Sequence, residues 1–152
     1  MNFSIFTTKR ITFILAAVLI ILFFYTAASK LVNTEEFHRQ LANQTLPVWS
    51  ISWLLWLIPI TELVVSLLLI TEKTRRVGFY GSAILMLLFT GYIGLVLLNV
   101  FDRVPCSCSS VIRHMGFPAH FLFNLFFLTL SIVGIYLLHH QRKGGYVAAS
   151  DL

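Results

Sequence analysis

The stretch VWSISWLLWLIPITELVVSLLLI, residues 48–70, decides the fold. It holds 23 residues with one formal charge, Glu62. About 20 consecutive, mostly apolar residues are what a helix needs to cross the hydrocarbon of a bilayer. A soluble helix shows an apolar stripe and a polar face; this one is apolar all round, which fits a span. Trp49, Trp53 and Trp56 gather at one end, where an aromatic belt at the membrane–water interface belongs. Taking those tryptophans as the edge, Glu62 lies about 10–15 Å deep at 1.5 Å per residue. Pro59, just before it, removes one backbone donor and frees a carbonyl, and predicts a kink there.

Three more stretches read the same way: residues 11–29, 77–100 and 119–138. The connections between the four are short, which predicts antiparallel neighbours in an all-α, four-transmembrane-helix bundle. Composition agrees. Hydrophobic residues make up 58% of the 152 and charged residues 11%. A soluble domain carries roughly a quarter charged residues, so lipid must be the solvent here. The net charge of +5 would suggest nucleic acid in a soluble chain. In a membrane chain basic residues set orientation, and no nucleic-acid partner is expected. Lys9-Arg10 before an apolar run that ends in small residues resembles a signal peptide, but the run is too long for a signal core.

Seven basic residues (Lys9, Arg10, Lys73, Arg75, Arg76, Arg142 and Lys143) fall on one side of the expected topology. Four (Lys30, Arg39, Arg103 and Arg113) fall on the other. The positive-inside rule then puts residues 1–10 and 139–152 in the cytoplasm and loops one and three outside. Loop one reads as a short helix that either lies on the headgroups or, as the alternative, offers a docking surface for a partner. Asn33 is its expected N-cap, Glu36 stands at the third helical position, and Val32 and Phe37 have the spacing of a hydrophobic staple. The tail from Gly144 to Leu152 shows no pattern and is expected to be loose.

The two cysteines, Cys106 and Cys108, stand in loop three after Pro105. On the expected topology they face an oxidising compartment. Three readings stand. A static disulfide would close a loop of about three residues and contribute only about 1.6 kcal/mol before ring strain. A soft metal site would need His114 and His120 beside the thiolates. A redox-active dithiol would exploit the strain and exposure of such a short loop, with Arg103, Arg113 and His114 as cations that favour the thiolate.

Polar residues within spans are costly and call for an explanation. Tyr92 and Asn99 are seven apart in the third span, and His120 and Asn124 are four apart in the last; each pair shares a helix face. All four are expected in the outer half of the bilayer beneath the cysteines. They form either a patch that receives a quinone headgroup or ordinary interhelical hydrogen bonds. Glu62 is either a proton carrier or ligand contact, or a structural acid, and Lys30 is the cation on that side that could pair with it. Thr90 and Gly94 give the third span a small-residue face for close packing.

Phe24-Tyr25-Thr26-Ala27-Ala28-Ser29-Lys30-Leu31, then Phe37, Pro59, Glu62 and Cys106-Ser107-Cys108 before the last helix, together resemble the MauE/DoxX group of four-helix membrane proteins. The resemblance spans nearly the whole chain. It implies a bacterial inner-membrane protein that forms or transfers disulfides in exported, thioredoxin-like or other thiol partners at the periplasmic face. Cys106 and Cys108 match the family's cysteine pair, and Lys30 and Glu62 its intramembrane polar residues. Cys-Ser-Cys-Ser-Ser replaces the frequent Cys-Gly-Cys-Phe-Gly, and His120 and Asn124 stand where many members have Arg-Asn. The alternatives are a non-catalytic subunit or assembly factor of a larger envelope complex and, third, copper handling.

Overall fold

In the computed structural model, residues 2–43, 47–98 and 117–150 are described. They form five helices: α1 Asn2–Val32, α2 Thr34–Ala42, α3 Val48–Ile70, α4 Arg75–Leu97 and α5 Phe117–Ser150. No strand occurs among the described residues. Four segments are long and apolar enough to cross a membrane: Thr7–Val32, Val48–Ile70, Arg75–Leu95 and Pro118–His140. The architecture is therefore the expected all-α bundle of four membrane-spanning helices. α1 packs on α3, α3 on α4, α4 on α5 and α5 back on α1. α3 and α5 lie across the diagonal from each other.

Lipid offers no hydrophobic driving force between helices, so small residues and hydrogen bonds must hold the bundle. Ser82 of α4 donates to Ser131 of α5 at 3.0 Å, with both side chains buried. Ser66 of α3 donates to the Ile20 carbonyl of α1 at 3.5 Å. Around these bonds lie Leu19, Phe23, Leu69, Phe79 and Met86, all buried. The large apolar side chains outside the core, such as Ile21, Leu67, Leu88 and Leu122, face outward as lipid contact requires.

The closest helix approaches are not at the face expected from Thr90 and Gly94. A Cβ on Gly94 would stand 3.5 Å from the Phe121 ring, an ordinary contact. A Cβ on Gly78 would stand 2.9 Å from the Leu69 backbone nitrogen, and one on Gly81 2.9 Å from Val65. At Gly134 it would lie inside the envelope of the buried Phe79 ring. The tight seams thus run between α3 and α4 and between α4 and α5, toward the end that holds the α3–α4 turn.

That turn satisfies its own backbone. Arg75 Nε donates to the Leu69 carbonyl at 3.2 Å and Nη2 to the Ile70 carbonyl at 3.4 Å. Thr74 donates to the Leu68 carbonyl at 2.8 Å. These are the orphan carbonyls of the α3 C-terminus, and a guanidinium there also complements the helix dipole. α3 continues through Pro59, and Thr61 just beyond it donates to the Leu57 and Ile58 carbonyls.

Three further expectations are corrected. α2 does not merely lie on headgroups: Phe37 and Leu41 are buried against Ile51, with Leu54, Leu55 and Ile58 around them. The capping box and staple do not form. The Asn33 amide donates back to the Ser29 carbonyl at 3.2 Å, Glu36 pairs with Arg39, and Val32 is 80% exposed. The segment after His140 is helical through Ser150 rather than loose. It contains no proline, and the cost of Gly144 and Gly145 in a helix is about 1 kcal/mol each.

Replacing Gly134 by Ala should destabilise the bundle by about 1–3 kcal/mol, the range for overpacking a filled core. Gly91→Ala, where an added Cβ meets nothing within 4 Å, should be neutral or mildly stabilising. Thermal unfolding in detergent micelles reads both. Equal effects at the two glycines would contradict the packing described.

Candidate functional site: a buried ion pair and its polar cavity

Lys30 stands in the last turn of α1, and Glu62 lies past the middle of α3. If Ser66 and Ile20 are taken as level, the Lys30 backbone sits some six residues further out than that of Glu62, about 9 Å along the axis. The side chains close that gap because of how helices are built. Each Cα–Cβ bond tilts toward its own helix N-terminus, and the two helices run antiparallel. Lys30 therefore leans inward and Glu62 outward, and they meet. Lys30 Nζ donates to Glu62 Oε1 at 2.5 Å, with the residues 5% and 2% exposed.

The aromatic rings of Phe37 and Phe89 flank the ammonium, with centroids 5.8 and 5.9 Å away. Both are within the range of cation–π attraction. Phe37 is delivered by α2, so the short helix completes the cage round the lysine. The second carboxylate oxygen, Glu62 Oε2, is buried and receives no hydrogen bond from the described residues. Thr26 lies one helical turn before Lys30; its hydroxyl is 3.1 Å from the Phe23 carbonyl and also stands beside the Glu62 carboxylate.

A partly enclosed cavity of about 60 Å³ adjoins the pair. Its polar lining is Thr26, Lys30, Glu62, Tyr92, His120 and Asn124, and its apolar walls include Phe37, Met86, Phe89 and Phe123. Residues from α1, α2, α3, α4 and α5 therefore converge on one space. Tyr92, His120 and Asn124 come together as expected, and Glu62 and Lys30 join them. Asn99, Cys106 and Cys108 lie outside the described residues, as does His114. Sequence reading quoted Thr26 only within a motif and passed over Phe89; the i, i+4 spacing of Thr26 and Lys30 was the available signal. Among the described residues no three metal-ligating side chains gather.

The volume limits what the space can hold. A water occupies about 10–15 Å³ on this measure, and a cavity that takes benzene is about 150 Å³. The space therefore suits a few waters or one polar edge of a larger molecule. It offers donors from Lys30 and Asn124 and an acceptor at Glu62 Oε2.

The fold and site define a polytopic membrane bundle with a buried lysine–glutamate pair at a polar cavity. The family described as "Methylamine utilisation protein MauE" matches residues 8–137, and the chain belongs to it. No curated protein and no solved structure matches.

The ion pair yields a test. Removing one partner leaves a buried charge uncompensated, at a cost of about 3–5 kcal/mol, while replacing both by apolar residues relieves it. Lys30→Met and Glu62→Leu should each destabilise strongly, and the double variant should cost less than either. A double-mutant cycle of unfolding free energies in micelles measures this. Additive effects would show that the two residues do not act as a pair.

Proposed function

We propose that this protein is a membrane thiol–disulfide redox component in the maturation of exported proteins, acting through Cys106 and Cys108. In the setting named by its family, that means accessory work in methylamine utilisation. The observation that carries this reading is the convergence of Lys30, Glu62, Tyr92, His120 and Asn124 on one cavity. Tyr92 precedes the cysteine-bearing segment on α4 and His120 follows it on α5.

In the forward step a partner thiolate attacks the Cys106–Cys108 disulfide and forms a mixed disulfide, and one cysteine leaves as thiolate. The partner's second thiol resolves the mixed disulfide. The partner gains a disulfide, Cys106 and Cys108 become a dithiol, and two electrons and two protons have moved to this protein. With only two cysteines in the chain, a second protein dithiol cannot relay them onward. A quinone in the bilayer is the acceptor we propose; it takes the two electrons and two protons, becomes a quinol and restores the disulfide. The donors at the cavity suit a quinone carbonyl, and the volume admits that edge of the molecule while the ring stays toward lipid.

The orientation that this reading needs draws support from the ion pair. Lys30 is neutralised by Glu62 inside the bundle and no longer counts as a loop cation. The basic bias then favours cytoplasmic termini more strongly, with the Cys106–Cys108 loop in the periplasm of a bacterial inner membrane. One observation favours a second reading, a scaffold for a larger envelope complex: α5 runs beyond its apolar span at His140 to Ser150.

The decisive measurement is the redox state of Cys106 and Cys108 in intact membranes, read by acid quench and a heavy, impermeant maleimide before and after reduction. The pair should label only after reduction, from the periplasmic side, and should cycle when a dithiol is supplied outside. Because the partner's own second thiol does the resolving, a partner deprived of that thiol should be trapped on the native chain as a mixed disulfide. Full function in the Cys106→Ala/Cys108→Ala double variant would end the redox reading and leave the scaffold.

A further inference from the structure

At the opposite end of α1 from Lys30, a groove of about 450 Å³ opens where three spans end. The first span begins at Thr7, the third at Arg75, and the fourth ends at His140. The groove is lined by Lys9 and Arg10 of α1, Arg75 of α4, the apolar Phe13 and Ile14 of α1, and Leu138 of α5. Its cations come from two helices and stand at the membrane edge. Its apolar wall runs along the lipid-facing surface, where Phe13 is 60% and Ile14 59% exposed.

Arg75 is held in place. Its Nε and Nη2 are occupied by the α3 carbonyls, and its guanidinium lies 5.8 Å from the centre of the Phe13 ring. Among the described residues one carboxylate, Glu72, lines the groove with these three cations. Glu72 reaches Arg75 only at 3.9 Å, and its side chain is 89% exposed. Among the described residues the groove is therefore net positive at the rim and apolar below it. That is the complement of a phospholipid with an anionic headgroup: phosphate against the cations, acyl chain along Phe13 and Ile14. The space is many times that of a water molecule and leaves room for a phosphate and its glycerol.

We propose that this groove is a binding site for an anionic phospholipid. The apolar wall favours a lipid over a free anion, because a soluble phosphate would use the cations and leave Phe13 and Ile14 without a role. Basic pockets between spans at the membrane edge bind such headgroups by the same combination of charge and shape. The site lies apart from the Lys30–Glu62 cavity and does not depend on what the cysteines do.

The test is native mass spectrometry of the full chain in detergent, titrated with phosphatidylglycerol or phosphatidylcholine. Phosphatidylglycerol should bind about tenfold more tightly, and each groove cation removed, in Lys9→Gln and then Lys9→Gln/Arg10→Gln, should weaken it about fivefold. Lys73→Gln, an exposed cation of the same turn outside the groove, should stay within about twofold. Equal affinity for the two lipids would overturn the proposal. So would an equal loss in Lys73→Gln, which would mean diffuse surface charge, or competition by glycerol phosphate at the concentration of the lipid, which would mean a soluble anion site. Should the double variant fail to fold, the lipid comparison on the native chain and the single Lys9→Gln decide the matter.

Discussion

A lysine and a glutamate buried against each other in an apolar bundle constrain everything around them. Either charge alone at membrane depth costs about 2.5–3.5 kcal/mol on insertion scales. Together they need contact, exclusion from lipid and partners for their remaining valences. Contact follows from the antiparallel pairing of α1 and α3, since only antiparallel helices lean side chains at these two heights toward each other. Exclusion from lipid requires α4 and α5 to close the other sides, which they do through Phe89 and Phe123. The outer side is closed by α2, whose Phe37 is 2% exposed.

This explains why the chain spends nine residues on α2 between its first two spans. α1 ends near the level of Lys30, while α3 continues outward for more than two turns to Val48. On that overhang Ile51, Leu54, Leu55 and Ile58 form the face that Phe37 and Leu41 of α2 cover. The helix carries its apolar residues at i, i+4 to meet that face, and its charges, Glu35, Glu36 and Arg39, turn outward. The same docking shields the lysine and defines one wall of the cavity. A span pair, a surface helix and a polar site are thus consequences of a single electrostatic requirement.

The spans were legible in the sequence because length and all-round apolarity need no tertiary information. The four long apolar stretches correspond to four helices long and apolar enough to cross a membrane. The convergence of Tyr92, His120 and Asn124 was also legible, because helix periodicity and alternating direction together fix face and depth. The Lys30–Glu62 contact was legible only as a candidate pair. It depends on the stagger between α1 and α3, which the loop length does not determine. The role of α2 was missed for a related reason: an amphipathic nine-residue helix reads the same whether its apolar face meets lipid or protein. The close-packing glycines were misassigned because any small residue permits approach, and only the neighbouring helix decides which one is used. Gly134 is used because Phe79 faces it, and nothing in the local sequence of α5 says so.

The unshared oxygen of Glu62 is where structure meets chemistry. Had the pair served stability alone, the cheapest arrangement would satisfy both carboxylate oxygens from the protein, as buried charges generally require. The carboxylate is instead half committed to Lys30 and half presented to a space with polar groups on two further helices. A few waters or one polar edge of a ligand would complete its coordination. A carboxylate oxygen left open to a polar space is the feature on which the proposed role of the cavity rests.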